Sequence, residues 1–109
     1  MSVVIKNIKD VRDVSAFAYD ITKKYLNNIS KSSKIIIKPN ITAPKPPTTG
    51  TTTHHEIIIR VLDALTGFNN VKIVESDATS SDFEENIHGW GYSFLENYSN
   101  VALINWLIV

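Results

Sequence analysis

The chain contains no cysteine. That excludes a disulfide framework, a thiol nucleophile, and any zinc or iron–sulfur cluster held by thiolates of this chain. It also lacks an excess of either charge, with 11 basic residues balancing 11 acidic ones. A broad cationic field of the kind that drives non-specific nucleic-acid binding is therefore missing. Aromatic and basic residues are not interleaved as on a base-stacking surface, so nucleic acid is not an expected partner. No run of about 18 apolar residues occurs, and no membrane span is expected. The N-terminus, MSVVIKNIKD, lacks the long apolar core of a secretory signal, which makes a cytoplasmic location the expectation. Motif absences narrow the chemistry further. There is no G-x-S-x-G and no P-loop, and Gly89-Trp90-Gly91 lacks the third glycine and the preceding strand of a dinucleotide fingerprint.

What is present is the composition of an ordinary globular protein, 43% hydrophobic and 20% charged over 109 residues, read here as one domain spanning 1–109. Val3 to Ile8 reads as a short strand. Asp10 can cap a helix from about Val11 to Asn28, whose apolar face is Val14, Phe17, Ala18, Ile21, Tyr25 and Ile29. Lys34 to Lys38 is a second strand. Its three consecutive isoleucines do not alternate with polar residues, as expected for a strand covered on both faces. Pro39 ends it. Ile41 to Thr52 holds three of the four prolines and is read as a long loop. Thr53-x-x-Glu56 fits a capping box, placing a helix start at His54 with Ile57, Ile58, Val61, Leu62 and Leu65 on its buried stripe and Gly67 at its end. Val71 to Glu75 is a third strand. Ser81-x-x-Glu84 opens a short helix that Gly89 and Gly91 interrupt, Ser93 to Tyr98 can resume it, and Val101 to Ile104 is a fourth strand. The order β-α-β-α-β-α-β predicts a three-layer α/β domain, with a mostly parallel four-stranded sheet and helices on both faces.

In such a sheet the residues just past the strand ends gather along one edge. Here they are Lys38 and Asn40, then Glu75, Ser76 and Asp77, then Asn105, beside the loop Gly50-Thr51-Thr52-Thr53 and His54. Two ligand chemistries fit. Backbone N–H groups and hydroxyls of Gly50, Thr51, Thr52 and Thr53 at a helix start, with Lys38 and Asn40, suit a small anion. Glu75 and Asp77 with His54 or His55 suit a divalent metal. Blander roles compete with both. Threonines before a helix also act as caps and turn formers, Glu75 can cap a neighbouring helix, and adjacent His54 and His55 diverge by about 100° on a helix and cannot easily share one metal. Lys38 is harder to dismiss, because a covered strand end is a poor place for an idle charge. His88 reads as a helix-end residue favoured by the dipole, and Trp90 as a core plug. Trp106-Leu107-Ile108-Val109 is a wholly apolar C-terminal run. It either extends the last strand into the core or packs on another chain, so a homodimer or partner subunit is a second expectation, and a non-catalytic interaction module is the alternative to a ligand-binding domain.

The run Ile36-Ile37-Lys38-Pro39-Asn40, followed by Pro46-Pro47-Thr48-Thr49-Gly50-Thr51-Thr52-Thr53-His54, the helix Glu56 to Leu65, the segment Val71 to Ser76 and Gly91-Tyr92, resembles the family called domain of unknown function 362. The resemblance covers roughly Lys34 to Asn105. It implies an α/β fold and a site on Lys38, Asn40, Gly50, Thr52, His54 and Glu75, in a family of archaea and bacteria whose members often carry 4Fe–4S ferredoxin segments. It implies no particular reaction. This chain departs from the pattern in having none of those cysteines, in placing His55 where a proline is usual, and in matching only the N-terminal part of the longer members.

Overall fold

The computed structural model describes residues 3–7, 9–41, 43–49, 52–76 and 82–105. It is a mixed α/β structure. Helix α1 spans Val11–Tyr25, strand β1 Lys34–Ile37, helix α2 His55–Ala64, strand β2 Asn70–Glu75, helix α3 Phe83–Trp90 and strand β3 Val101–Asn105, with 3-10 turns at Pro47–Thr49 and Tyr92–Asn97. The sheet is parallel throughout, in the order β1-β2-β3. Its register sets Ile37 beside Ile73, and Glu75 beside Asn105.

The described sheet has three strands, not four. Val3 to Asn7 joins no strand and stays exposed, Val3 at 83% and Ile5 at 90%. Apolar content marked that segment as strand-like, but a strand forms only where an edge accepts it. The layering differs as well. Both crossovers step the same way along the sheet, and right-handed connections of that kind place their helices on one face. Burial agrees. Ile35, Ile37, Val71, Ile73, Val101 and Leu103 point into one core with Ile58 and Leu62 of α2, Leu65 just past its end, and Phe83, Ile87 and Trp90 of α3. The alternate residue Ile36 is 52% exposed. Among the described residues, helices therefore cover one face. The Ile-Ile-Ile run of β1 does not reflect two covered faces, and Trp106 to Val109 lie outside the described residues.

Local signals explain the element ends. Asp10 caps α1, its carboxylate accepting the Arg12 and Asp13 amides. The helix stops at Tyr25, short of Asn28; it packs on α2, with Arg60 over the Tyr19 ring at 4.8 Å. The cap of α2 is His54 rather than Thr53: His54 Nδ1 accepts the Glu56 amide at 3.1 Å. Thr53 is committed elsewhere, as described below. Asp82 caps α3. Gly89 does not break α3, which runs on to Trp90 and ends at Gly91 with φ +84°. Gly89 is needed for proximity instead. A Cβ there would lie 2.1 Å from the Pro44 carbonyl carbon.

Tyr98 ties the approach to β3 onto α2, donating to Asp63 Oδ1 at 2.9 Å. Burial first, then this hydrogen bond and the Asp63 charge, push the phenol up from 10.0 to about 12. Because the folded state holds the proton more tightly, this contribution is intact below pH 10 and is lost as pH rises through 12. In an absorbance titration one of the 4 tyrosines is expected to ionise late, and Tyr98→Phe should remove that phase. If all tyrosines titrate together, the contact is absent in solution. Gly89→Ala is expected to cost about 2–3 kcal/mol through overpacking against backbone, a fall in Tm of roughly 10–20 °C. An unchanged melting curve would mean that the Pro44 loop does not rest on α3.

Candidate functional site

The site is built at the C-terminal ends of β1 and β2, where side chains leave the ladder. Glu75, the last residue of β2, is 5% exposed. A carboxylate so placed needs donors, and among the described residues it has three. Oε1 accepts Lys38 Nζ at 3.2 Å and the Ser76 amide at 3.0 Å. Oε2 accepts the Ile41 amide at 3.2 Å. Pro39 stops the β1 ladder, and two residues later the Ile41 N–H turns to Glu75 instead of to a strand. Ile41 itself is 1% exposed, so its side chain anchors the loop in the core while its amide binds the carboxylate.

The same turn fixes the loop's return. Asn40 and Thr53 exchange two hydrogen bonds: the Asn40 amide donates to Thr53 Oγ1 at 2.7 Å, and the Thr53 amide to the Asn40 carbonyl at 2.8 Å. Ile41 and Thr52 form an antiparallel bridge. This is why Thr53 cannot serve as the α2 cap and His54 takes that role. From the other side, the buried Trp90 donates Nε1–H to the Thr53 carbonyl at 2.8 Å. Trp90 is thus both a core plug and a strut under the loop. His55 turns away from the strand ends, with Nε2 on the Trp90 carbonyl and its ring 4.7 Å from that of Phe94.

Of the residues singled out from the sequence, Lys38, Asn40, Thr52, Thr53, His54 and Glu75 fall on this one structure. Gly50, Thr51 and Asp77 lie outside the described residues. Thr52 Oγ1 reaches the Lys45 carbonyl at 3.3 Å, a loop-forming contact. Asn105 sits beside Glu75 in the sheet register. For a metal, the described residues assemble no group of three His, Asp or Glu side chains. Both Glu75 oxygens already accept hydrogen bonds, and His54 Nδ1 is the helix cap. No helix among the described residues is long and apolar enough to cross a membrane.

Beside the Lys38–Glu75 pair lies a cleft of about 240 Å³, lined by Ile36, Lys38, Val74, Glu75 and Ser76. Sequence reading missed Ile41, the role of the Ser76 amide and the wall formed by Ile36. Ile41 carried a usable signal, being an isolated large apolar residue in a polar loop. The amide of Ser76 and the openness of the Ile36 face carried none.

The family model described as Domain of unknown function (DUF362) matches residues 35–107, from β1 past the end of β3. The chain belongs to this family. No curated protein and no solved structure matches it. The matched stretch takes in Lys38, Asn40, Ile41, Thr53 and Glu75, so the carboxylate-centred turn lies wholly within the DUF362 region.

The three donors on Glu75 make the pair unequal. Glu75→Gln replaces one acceptor oxygen with an NH2 donor that faces a backbone amide, that of Ile41 or of Ser76, and is expected to cost about 2 kcal/mol. Lys38→Met removes an ammonium whose side chain is 64% exposed, and should cost about 1 kcal/mol or less. Urea denaturation of both variants checks the order; equal losses would show that the backbone amides do not hold the carboxylate.

Proposed function

We propose that this domain binds a small anionic ligand at the C-terminal ends of β1 and β2, with Lys38 as the primary contact. The observation that carries the reading is the position of the Lys38 ammonium. Its side chain is 64% exposed at the rim of the cleft, while its partner Glu75 is 6% exposed. Two backbone amides also serve the carboxylate. An ammonium has three N–H donors, so Lys38 can neutralise Glu75 with one and offer the others outward. The Asn40–Thr53 exchange holds the loop and the start of α2 next to this lysine, and a helix start of this kind favours negative charge. Asn40, Gly50, Thr51, Thr52 and Thr53 complete the proposed binding loop. Strand ends of this kind are where open α/β sheets bind ligands.

A divalent metal on Glu75, Asp77 and His54 has weaker support, since the hydrogen bonds on Glu75 and His54 would have to be given up. No catalytic group is assigned.

Thermal unfolding against inorganic phosphate, sulfate, nucleotides and divalent cations tests the reading. A ligand at about 100 times its Kd adds about 2.7 kcal/mol, a rise of at least 10 °C or so for a domain of this size. The expected result is a selective rise with one class of anion that Lys38→Ala abolishes. A rise with a divalent cation alone, lost on chelation, would replace the anion with a metal.

A further inference from the structure

The sheet face that no helix covers among the described residues has a composition of its own. Reading alternate residues, β1 contributes Lys34 and Ile36, with Lys38 one residue past its end, β2 contributes Lys72 and Val74, and β3 contributes Ala102 and Ile104. In a chain of zero formal charge, these positions hold three lysines, two within the strands and Lys38 just past β1, and no carboxylate. Between them runs an apolar strip. Ile36 is 52% exposed, Ala102 is exposed and Ile104 is half-buried, while Val74 between them is 5% exposed. The cleft opens where this strip meets the strand ends, with Ile36 and Val74 on its wall and Lys38 and Glu75 at its polar end. One residue beyond the paired register, Lys38 falls beside Val74, so its methylene stem extends the apolar wall while its ammonium marks the rim.

From this juxtaposition we infer that the ligand is an amphipathic anion, a carboxylate or phosphate joined to an apolar body. The acid group meets Lys38 and the apolar body lies against Ile36, with the buried Val74 at the base of the cleft. This rests on the anion-binding reading above and adds the second half of the ligand. A bare inorganic anion leaves the apolar wall wet. An uncharged alkyl chain leaves the Lys38 donors unused. A volume of about 240 Å³ accommodates a short chain, smaller than the ligands of typical drug-sized pockets.

The test titrates three probes into the protein: inorganic phosphate, octyl phosphate below its micellar concentration, and octanol. Octyl phosphate is expected to bind at least about tenfold tighter than phosphate, from the added apolar contact. Octanol should bind more weakly than octyl phosphate. Ile36→Ser, a change at an exposed position, should lower octyl phosphate affinity several-fold and leave phosphate affinity unchanged, whereas Lys38→Ala should weaken both. Equal affinities for phosphate and octyl phosphate, or an Ile36→Ser variant with an unchanged ratio, would overturn the amphipathic ligand while leaving the anion site standing. If Lys38→Ala alters neither, the anion site itself fails. Sedimentation of the same variants supplies the remaining arm. Should Ile36→Ser convert a dimer to a monomer with no change in octyl phosphate binding, the face belongs to a second copy and the ligand proposal is wrong.

Discussion

A carboxylate at the end of the central strand organises this structure. Glu75 is removed from water, and the groups that compensate it come from three places: the side chain after β1, the backbone of the loop beyond it, and its own successor in sequence. Each bond fixes something that local propensity leaves open. The Ile41 amide pins the direction in which the chain leaves β1. Lys38 closes the site toward solvent. Ser76 sets the exit of β2. Once Ile41 is held, Asn40 can pair with Thr53, and Trp90 of α3 supports the far side of that pair. The described part of the loop is therefore structured, with Asn40 and Thr53 bonded to each other beside the strand ends.

That arrangement reconciles two demands. A buried ion pair is weak support for stability when charges must be stripped of water together. Here the lysine remains largely hydrated and backbone dipoles share the load, so the pair keeps a cation in a defined place without burying it. The sheet adds the complement. Stepping three parallel strands in one direction collects the helices on one face and leaves the other, with its lysines and apolar strip, next to the same strand ends.

Much of the architecture was legible from the sequence, because periodicity and capping are local. The parallel α/β character, the cap at Asp10, the stripe of α2, the burial of Trp90 and the gathering of Lys38, Asn40, Thr53 and Glu75 all follow from residue type and order. What was not legible depends on competition between distant groups. Thr53 looked like a cap, yet the Asn40 amide, 13 residues away, takes its hydroxyl and passes the capping role to His54. Gly89 looked like a helix breaker, yet it admits the Pro44 backbone. Three isoleucines in β1 looked like two covered faces. Burial of a strand is a property of its neighbours, and no helix packs on Ile36 among the described residues. Val3 to Ile8 read as a strand for want of any signal about its partner.

The most direct measurement is the exchange of the Ile41 amide hydrogen by NMR, in the wild type and in Glu75→Asp, which keeps the charge but withdraws it by one methylene. Because Pro39 has ended the strand ladder, the Glu75 carboxylate is the acceptor identified for this amide. The account predicts an Ile41 amide as slow as those of β2 in the wild type and far faster in Glu75→Asp. An Ile41 amide that exchanges freely in the wild type, or one whose protection survives the shortened side chain, would contradict the claim that Glu75 holds the loop and, through it, the site.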